Sequence, residues 1–363
     1  MIKLDTTTLK DLVSKAIKGA GLDKSITRTT MLEIQQKDKR LRLMTTDMNN
    51  TLYVFTDVTD KTEFYAVVYV EQFANLIQKL TSETVTLDVQ DAVLTVKANG
   101  TYKIELPLDD DGEAVQFNKT MLDITDPTQT TEISLVTVKS ILETCKASLS
   151  VDNDKNNEAC YRNYYISDKA VTTNGSTVCC LSTPIFDTPV LLAPATLELL
   201  NVFTDETIET LTDASHVLFK TRNLVLYTHV QNEIEKYAID AVNAFVNESF
   251  EYSCDVAKSA LLPLLERIEL FVGEYDNDAV TLTFTDTGID VSSIKSSGVE
   301  SIEYVKAINV KPYTCKINVV LLIAQIKANK SDVLHLQFGN DRSIKFVDDK
   351  MTQVIALMVD NRR

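Results

Sequence analysis

LKDLVSKAI, residues 9–17, reads as an amphipathic helix, and the chain writes that helix three times. Leu9, Leu12, Val13, Ala16 and Ile17 keep the three- and four-residue spacing that gathers apolar side chains on one face. The pattern returns as Val138, Ile141, Leu142, Cys145 and Leu149, and again as Ala257, Ala260, Leu261, Leu264 and Leu265, at offsets of 129 and 119 residues. An alternating segment after each helix starts near Leu32, Asn163 and Val280, at offsets of 131 and 117. A second one, VTLDVQDAVLTVKANGTYKIEL from Val85, reappears as VLFKTRNLVLYTHV from Val217 and VLHLQFGNDRSIKFV from Val333, at 132 and 116. Three landmarks sharing two offsets make the chain three copies of a unit of about 120 residues.

Each unit reads as helix, strands, helix, strands. Second helices are expected near Val70, Pro194 and Ile317, and Pro194 suits a first helical position, where no N–H is needed. Pro263 falls inside the third unit's first helix and is expected to kink it or to mark its start. Asn99-Gly100, Asn174-Gly175 and Gly339-Asn340 supply hairpin turns between alternating segments. Linkers are expected at Asp123–Thr131 and Asn247–Phe250, giving domains 1–121, 122–250 and 251–363. The fold class is α+β, each unit carrying two helices packed on one face of antiparallel sheets.

With 44% hydrophobic and 24% charged residues in 363, composition is ordinary globular usage. The longest apolar run, Val319–Ala324, is too short to span a membrane. The start, MIKLDTTTLK, lacks a signal-peptide pattern, so a soluble cytoplasmic protein is expected. Cys145, Cys160, Cys179, Cys180, Cys254 and Cys315 show no framework spacing and read as core thiols. Chemistry is hard to find. His216, His229 and His335 all sit in alternating segments, and no phosphate-binding loop or nucleophile-elbow motif occurs. Asp152-Asn-Asp154-Lys-Asn156 resembles the opening of a calcium loop, but Asn157 replaces the turn glycine and Asn163 the closing glutamate. Cys179 and Cys180, adjacent in a strand, point to opposite faces and make no metal site. The reading expects no catalytic residue, metal or cofactor.

The net charge of −16 argues against nucleic acid unless the charge is segregated. On a helical wheel with Lys10 at zero, the apolar stripe covers about 200° to 340°, while Lys18 and Lys15 fall at about 80° and 140°. Lys24 and Arg28 follow in the loop. Lys139 and Lys146 repeat the theme in the second unit, Lys258 in the third, and Lys79 and Lys327 lie on second helices. Acidic residues concentrate elsewhere, as in Asp109-Asp110-Asp111 and at Asp205, Glu206, Glu209 and Asp213. Solvated lysines on any amphipathic helix remain the competing account of this wheel.

The repeat, its length and the local wording together resemble the bacterial and phage replicative sliding clamp, the beta subunit of the replicative DNA polymerase. TTDMNNTLYV (Thr45–Val54), VYVEQFANLIQKL (Val68–Leu80) and Ile104-Glu-Leu106-Pro107 carry the likeness in the first unit. VTTNGSTVCCLSTPI (Val171–Ile185) and VLLAPATLELLNVF (Val190–Phe203) carry it in the second, and LLERIELFVGEYDNDAVTLTF (Leu264–Phe284) in the third.

The resemblance implies a non-catalytic processivity factor: two head-to-tail protomers closing a ring around double-stranded DNA without reading sequence. It implies that Lys10, Lys15, Lys18, Lys24, Arg28, Lys79, Lys139, Lys146, Lys258 and Lys327 face the duplex. A homodimer interface would use Ile104 and Leu106 against Leu270 and Phe271, although Leu106 reads equally well as internal core. A pocket for short peptide motifs of polymerase and clamp loader would include Thr173, Gly175, Val178 and Met358. This sequence departs from the family pattern at Ser176-Thr177, Arg162, Ala195-Thr196 and Met358-Val359-Asp360, which puts pocket specificity in question. A repeat-built interaction scaffold that does not encircle DNA is the rival reading.

Overall fold

The computed structural model describes residues 1–21, 25–117, 121–151, 158–273, 277–294 and 300–358. Among them are seven α-helices: α1 (Thr6–Ala16), α2 (Val70–Lys79), α3 (Leu135–Cys145), α4 (Pro194–Leu199), α5 (Ile239–Val246), α6 (Lys258–Glu269) and α7 (Val319–Ala328). Asp5 caps α1 by accepting the Thr8 N–H at 2.9 Å, which satisfies one of the N–H groups a helix start leaves without a partner. Leu9, Leu12, Val13 and Ala16 form its buried stripe, while Ile17 passes into a 3₁₀ turn. The Asn318 side chain caps α7 in the same way, accepting the Leu321 N–H.

Two compact units emerge, one of residues 1–136 and 195–230, the other of residues 137–194 and 231–363. The middle third of the chain is divided between them. Unit 1 holds a four-stranded antiparallel sheet in the order Ile2–Asp5, Thr84–Gln90, Val93–Lys97, Thr101–Glu105. Its eight-stranded sheet runs Phe64–Tyr69, Met31–Lys37, Arg40–Thr46, Asn50–Asp57, Leu224–His229, His216–Lys220, Thr207–Thr212, Gln129–Ser134. The seam joins Asn50–Asp57 to Leu224–His229, with Leu52 opposite Leu226. Residues 129–131, expected in a linker, belong to the last of these strands.

Unit 2 is built on one twelve-stranded sheet. Its order is Val190–Leu192, Tyr164–Ile166, Lys169–Thr173, Thr177–Ser182, Met351–Ala356, Ser343–Val347, Val333–Phe338, Tyr252–Ala257, Glu300–Ile308, Gly288–Ile294, Ala279–Phe284, Tyr313–Asn318. Here the corresponding seam sets Thr177–Ser182 against Met351–Ala356, with Val178 opposite Val354. Leu264, Leu265 and Ile268 of α6 pack with Leu322 and Ile326 of α7 and with Phe284 and Phe338, whose rings stack at 4.0 Å. α6 runs through Pro263, which therefore neither starts nor ends it. The Ser259 carbonyl that loses its helical partner lies on an exposed stretch, where water can take it.

Local chemistry repeats with the strands. Thr45 Oγ1 donates to the Ala16 carbonyl at the end of α1, and Thr172 Oγ1 donates to the Cys145 carbonyl at the end of α3. In the turn that follows, Thr46 Oγ1 donates to Asn50 O and accepts the Met48 N–H, while Asp47 accepts the Asn50 N–H. Thr173, Asn174, Gly175 and Thr177 reproduce every one of those bonds. Met48 takes φ 77° where its counterpart Gly175 takes 81°. All six cysteines are free and buried; Cys179 contacts Cys145 beneath α3, whereas Cys180 belongs to an apolar cluster with Tyr165 and Val242. The expected opposition of the two adjacent thiols is what the strand delivers.

Candidate nucleic-acid and partner interfaces

In unit 1 the polar side of α1 presents Lys10, Lys15 and the following Lys18 to solvent, and Lys79 ends α2 exposed. Gln78 Nε2 donates to the Lys10 carbonyl and ties the two helices together. Lys15 pairs with Asp11 at 2.7 Å, one turn back, whereas Lys10, Lys18 and Lys79 make no ion pair among the described residues. Arg28 departs from expectation. Its guanidinium lies 4.8 Å from the Phe117 ring, which packs with Met44 and Tyr53. Alternation along Arg40–Thr46 puts Met44 on the face opposite Thr45, the residue that bonds α1. Arg28 is thus on the wrong side of the sheet to join the α1 lysines. Lys24 lies outside the described residues.

Unit 2 uses its helix lysines differently. Lys258 is half-buried and donates to the carbonyls of Lys327 and Asn329 at the end of α7; burial, then Lys330 nearby, pulls its pKa down. Lys327 pairs with Glu266 at 2.9 Å. Lys330 pairs with Glu143 at 2.5 Å, and that bond holds the Glu143 carboxyl below its usual range. Lys139 and Lys146 are exposed. Favourable helix-borne positive charge is therefore freer in unit 1 than in unit 2.

The expected interface residues fall into two groups. Ile104 and Leu106 are buried, at 4% and 6% exposure, under the edge strand Thr101–Glu105. Leu270 and Phe271, just beyond α6, are exposed, and the α6 residue Arg267 pairs with Glu303 of the strand Glu300–Ile308. That strand bonds Gly288–Ile294 along one side but meets Tyr252–Ala257 only at Ala307 and Ile308 on the other. Ile302 and Tyr304 stand exposed on it, and Tyr102 on Thr101–Glu105. Sequence reading missed these two open edges, because alternation along a strand does not say which neighbour is absent.

Around the expected partner pocket, Val178 belongs to the cluster of Tyr165, Val171, Cys180, Tyr237, Val242 and Val354. Tyr237 meets Tyr161 edge-on at 5.2 Å and Tyr165 at 5.1 Å. Thr173 and Gly175 serve the turn described above, and Met358 is half-buried with its N–H on the Lys316 carbonyl. The tyrosine trio was not singled out from sequence; the spacing of Tyr161 and Tyr165 was the available signal.

No protein-family model matches the chain, and no curated protein matches it by sequence. Among solved structures it is similar to the DNA polymerase sliding clamp from Bacillus subtilis, with TM-score 0.85 and 15% identity over 99% of each chain. The DNA polymerase III beta subunit from Thermotoga maritima matches at TM-score 0.82 and 14% identity, again over 99% of each chain. The beta chain from Streptococcus pneumoniae matches at 0.85 and 14%, covering 99% of this chain and all, 100%, of that one. The fold is that of a bacterial sliding clamp. Within this clamp fold, the departures at Ser176-Thr177 leave the turn's hydrogen bonding intact, since Thr177 still donates to Asn174. Arg162 sits in a 3₁₀ turn beside Tyr161, and Val359 and Asp360 lie outside the described residues.

Proposed function

We propose that the protein is a DNA sliding clamp: a homodimeric, non-catalytic ring that holds a replicative polymerase on duplex DNA. The carrying observation is that the likeness to sliding clamps spans 99% of this chain at TM-scores above 0.8. Three domains, 1–121, 122–250 and 251–363, are joined by shared sheets. Closure follows the same pairing rule as the two seams. In both seams, the last strand of one repeat's second sheet lies antiparallel to the last hairpin strand of the preceding repeat's first sheet. By that rule Thr101–Glu105 pairs with Glu300–Ile308 of the next copy, with Leu270 and Phe271 beside it. Two such contacts close a head-to-tail ring. Ile104 and Leu106 then support the strand from beneath.

Duplex DNA passes along the helix faces, touched at phosphates by Lys10, Lys15, Lys18, Lys24, Lys79, Lys139, Lys146, Lys258 and Lys327. Arg28 is left out of this set. Polymerase and clamp loader dock by short peptide segments at Thr173, Gly175, Val178 and Met358, and the tyrosine trio shapes what they accept. The test is solution mass by light scattering, with retention on circular and linearised DNA in one preparation. A mass near twice 40.6 kDa, with protein kept on circles and lost from linear ends, is expected. A stable monomer kept on neither overturns the reading in favour of an interaction scaffold.

A further inference from the structure

On the sheet face opposite α1, unit 1 carries a pocket of about 540 Å³ between the ends of Arg40–Thr46 and Asn50–Asp57, the turn 221–223, and Leu122 and Asp123. Its floor is apolar: Phe55, Leu122 and Val225. Arg40 lies 4.2 Å from the centre of the Phe55 ring, and one arm of its guanidinium donates to the Arg222 carbonyl. Among the described residues, the Arg40 Nε and the Thr221 hydroxyl are both buried without a hydrogen-bond partner. A guanidinium N–H and a hydroxyl left in that state cost stability until a ligand meets them. Arg222 is held across the mouth by Asp57 at 2.7 Å, with side chains 79% and 66% exposed. A pair so exposed is worth at most about 1 kcal/mol and swings aside readily. Lys220 reaches Asp123 only at 3.9 Å.

We propose that this pocket docks an acidic, apolar-flanked peptide segment of a partner protein. Three cations, Arg40, Lys220 and Arg222, outnumber the two carboxylates Asp57 and Asp123 here, a net positive pocket on a chain whose net charge is −16, so a single anion is the complementary ligand. A carboxylate can take the Arg40 fork, whose plane is already fixed by the Phe55 ring and the Arg222 carbonyl. The neighbouring apolar side chain then lies on Phe55, Leu122 and Val225. Asp57 and Asp123 at the rim repel a polyanion, which favours an isolated carboxylate over nucleic acid. Position supports the same occupant. The candidate peptide pocket of unit 2 lies on the corresponding sheet face at the other seam, beside Val178 and Val354. The internal repeat thus provides a second docking face, read by charge where the first is read by apolar and aromatic contacts. This site stands on unit 1 geometry alone and does not require DNA encirclement.

The probe is a fluorescein-labelled, C-terminally amidated hexapeptide with one carboxylate, Ser-Leu-Glu-Phe-Leu-Ser, followed by fluorescence polarisation, with its lysine-for-glutamate counterpart as control. The acidic peptide is expected to bind at least tenfold tighter than the basic one. The Lys220→Glu, Arg222→Glu double variant is expected to lose at least tenfold of that binding. Asp57→Asn is expected to tighten it severalfold, a gain that misfolding cannot produce. Equal binding of both peptides, or indifference to both variants, overturns the assignment. So does displacement of the peptide by low-millimolar inorganic phosphate, which would make this a phosphate site. Retention on circular DNA is expected to be unchanged in the Asp57→Asn protein, so failure here is distinguishable from failure of the clamp reading.

Discussion

Cys180, Cys254 and Cys315 are closed within apolar packing, and burial pushes their thiols up to about 11, 12 and 12. A thiol reagent needs thiolate, so none of the three should react at pH 8 until the chain unfolds. A fast thiol reaction of Cys180 in the native protein, read by mass spectrometry, would contradict that. His229 is driven the other way. Burial, and then the adjacent His216 at 4.8 Å between ring centres, lowers its pKa from 6.5. A folded value below the unfolded one means His229 favours folding fully above pH 6.5, and the benefit fades as pH falls through the folded value. His216→Gln should raise the His229 pKa in an NMR titration, though not fully, because burial remains. Met48 occupies the left-handed region, where Gly175 sits in the matching turn, and its side chain is 52% exposed. Met48→Gly is expected to raise stability by about 1 kcal/mol in urea unfolding, since a β-carbon in that region costs 1–2 kcal/mol or so. A loss would show that the Met48 side chain has a packing role.

Helix ends and turns are where the repeat becomes measurable. Asp5→Ala removes the cap of α1 and should cost about 1 kcal/mol. Thr45→Val and Thr172→Val each strip the bond that fastens a sheet to the end of a helix, at a carbonyl the following 3₁₀ turn still engages. Each is expected to cost about 1 kcal/mol, and the two should add, since they serve different units. Clear non-additivity in a double-mutant cycle would count against independent roles. At this scale the sequence was largely readable. The stripe of Leu9, Leu12, Val13 and Ala16 names its own helix, and Asn99-Gly100 and Asn174-Gly175 name their turns. What was harder to read has physical causes. Arg28 was grouped with the α1 lysines as a residue of the loop that follows them, and a loop carries no periodicity from which its face can be read. Ile104 and Leu106 alternate identically whether a strand's inner side meets its own core or a second copy. The pairing of Asn50–Asp57 with Leu224–His229 left no local mark, because alternation fixes a strand's faces but not its neighbour.

For the whole molecule, the contrast between Lys10, Lys18 and Lys79 of unit 1 and the engaged Lys258 and Lys327 of unit 2 sets an order of effects. Reversing Lys10, Lys18 and Lys79 to Glu should weaken DNA binding strongly and flatten its salt dependence, as fewer counterions are released. Reversing Lys258 and Lys327 should do less to DNA and more to stability, since both already hold structural partners. The opposite ranking would place the duplex against unit 2. Ile302→Asp is expected to produce monomers in light scattering with an unchanged fold by circular dichroism; an intact dimer would move the contact elsewhere. The seam of the eight-stranded sheet also governs how the chain is made. Leu52 waits for Leu226, and a ribosome adding about 5–20 residues per second needs roughly ten to thirty seconds to supply that stretch. Throughout that interval the nascent strand Asn50–Asp57 has one edge unsatisfied, an invitation to mispair with a neighbouring polysome product. Synthesis therefore sets a window in which a holding chaperone, or a seldom-initiated message that spaces the ribosomes, raises the yield of native protein.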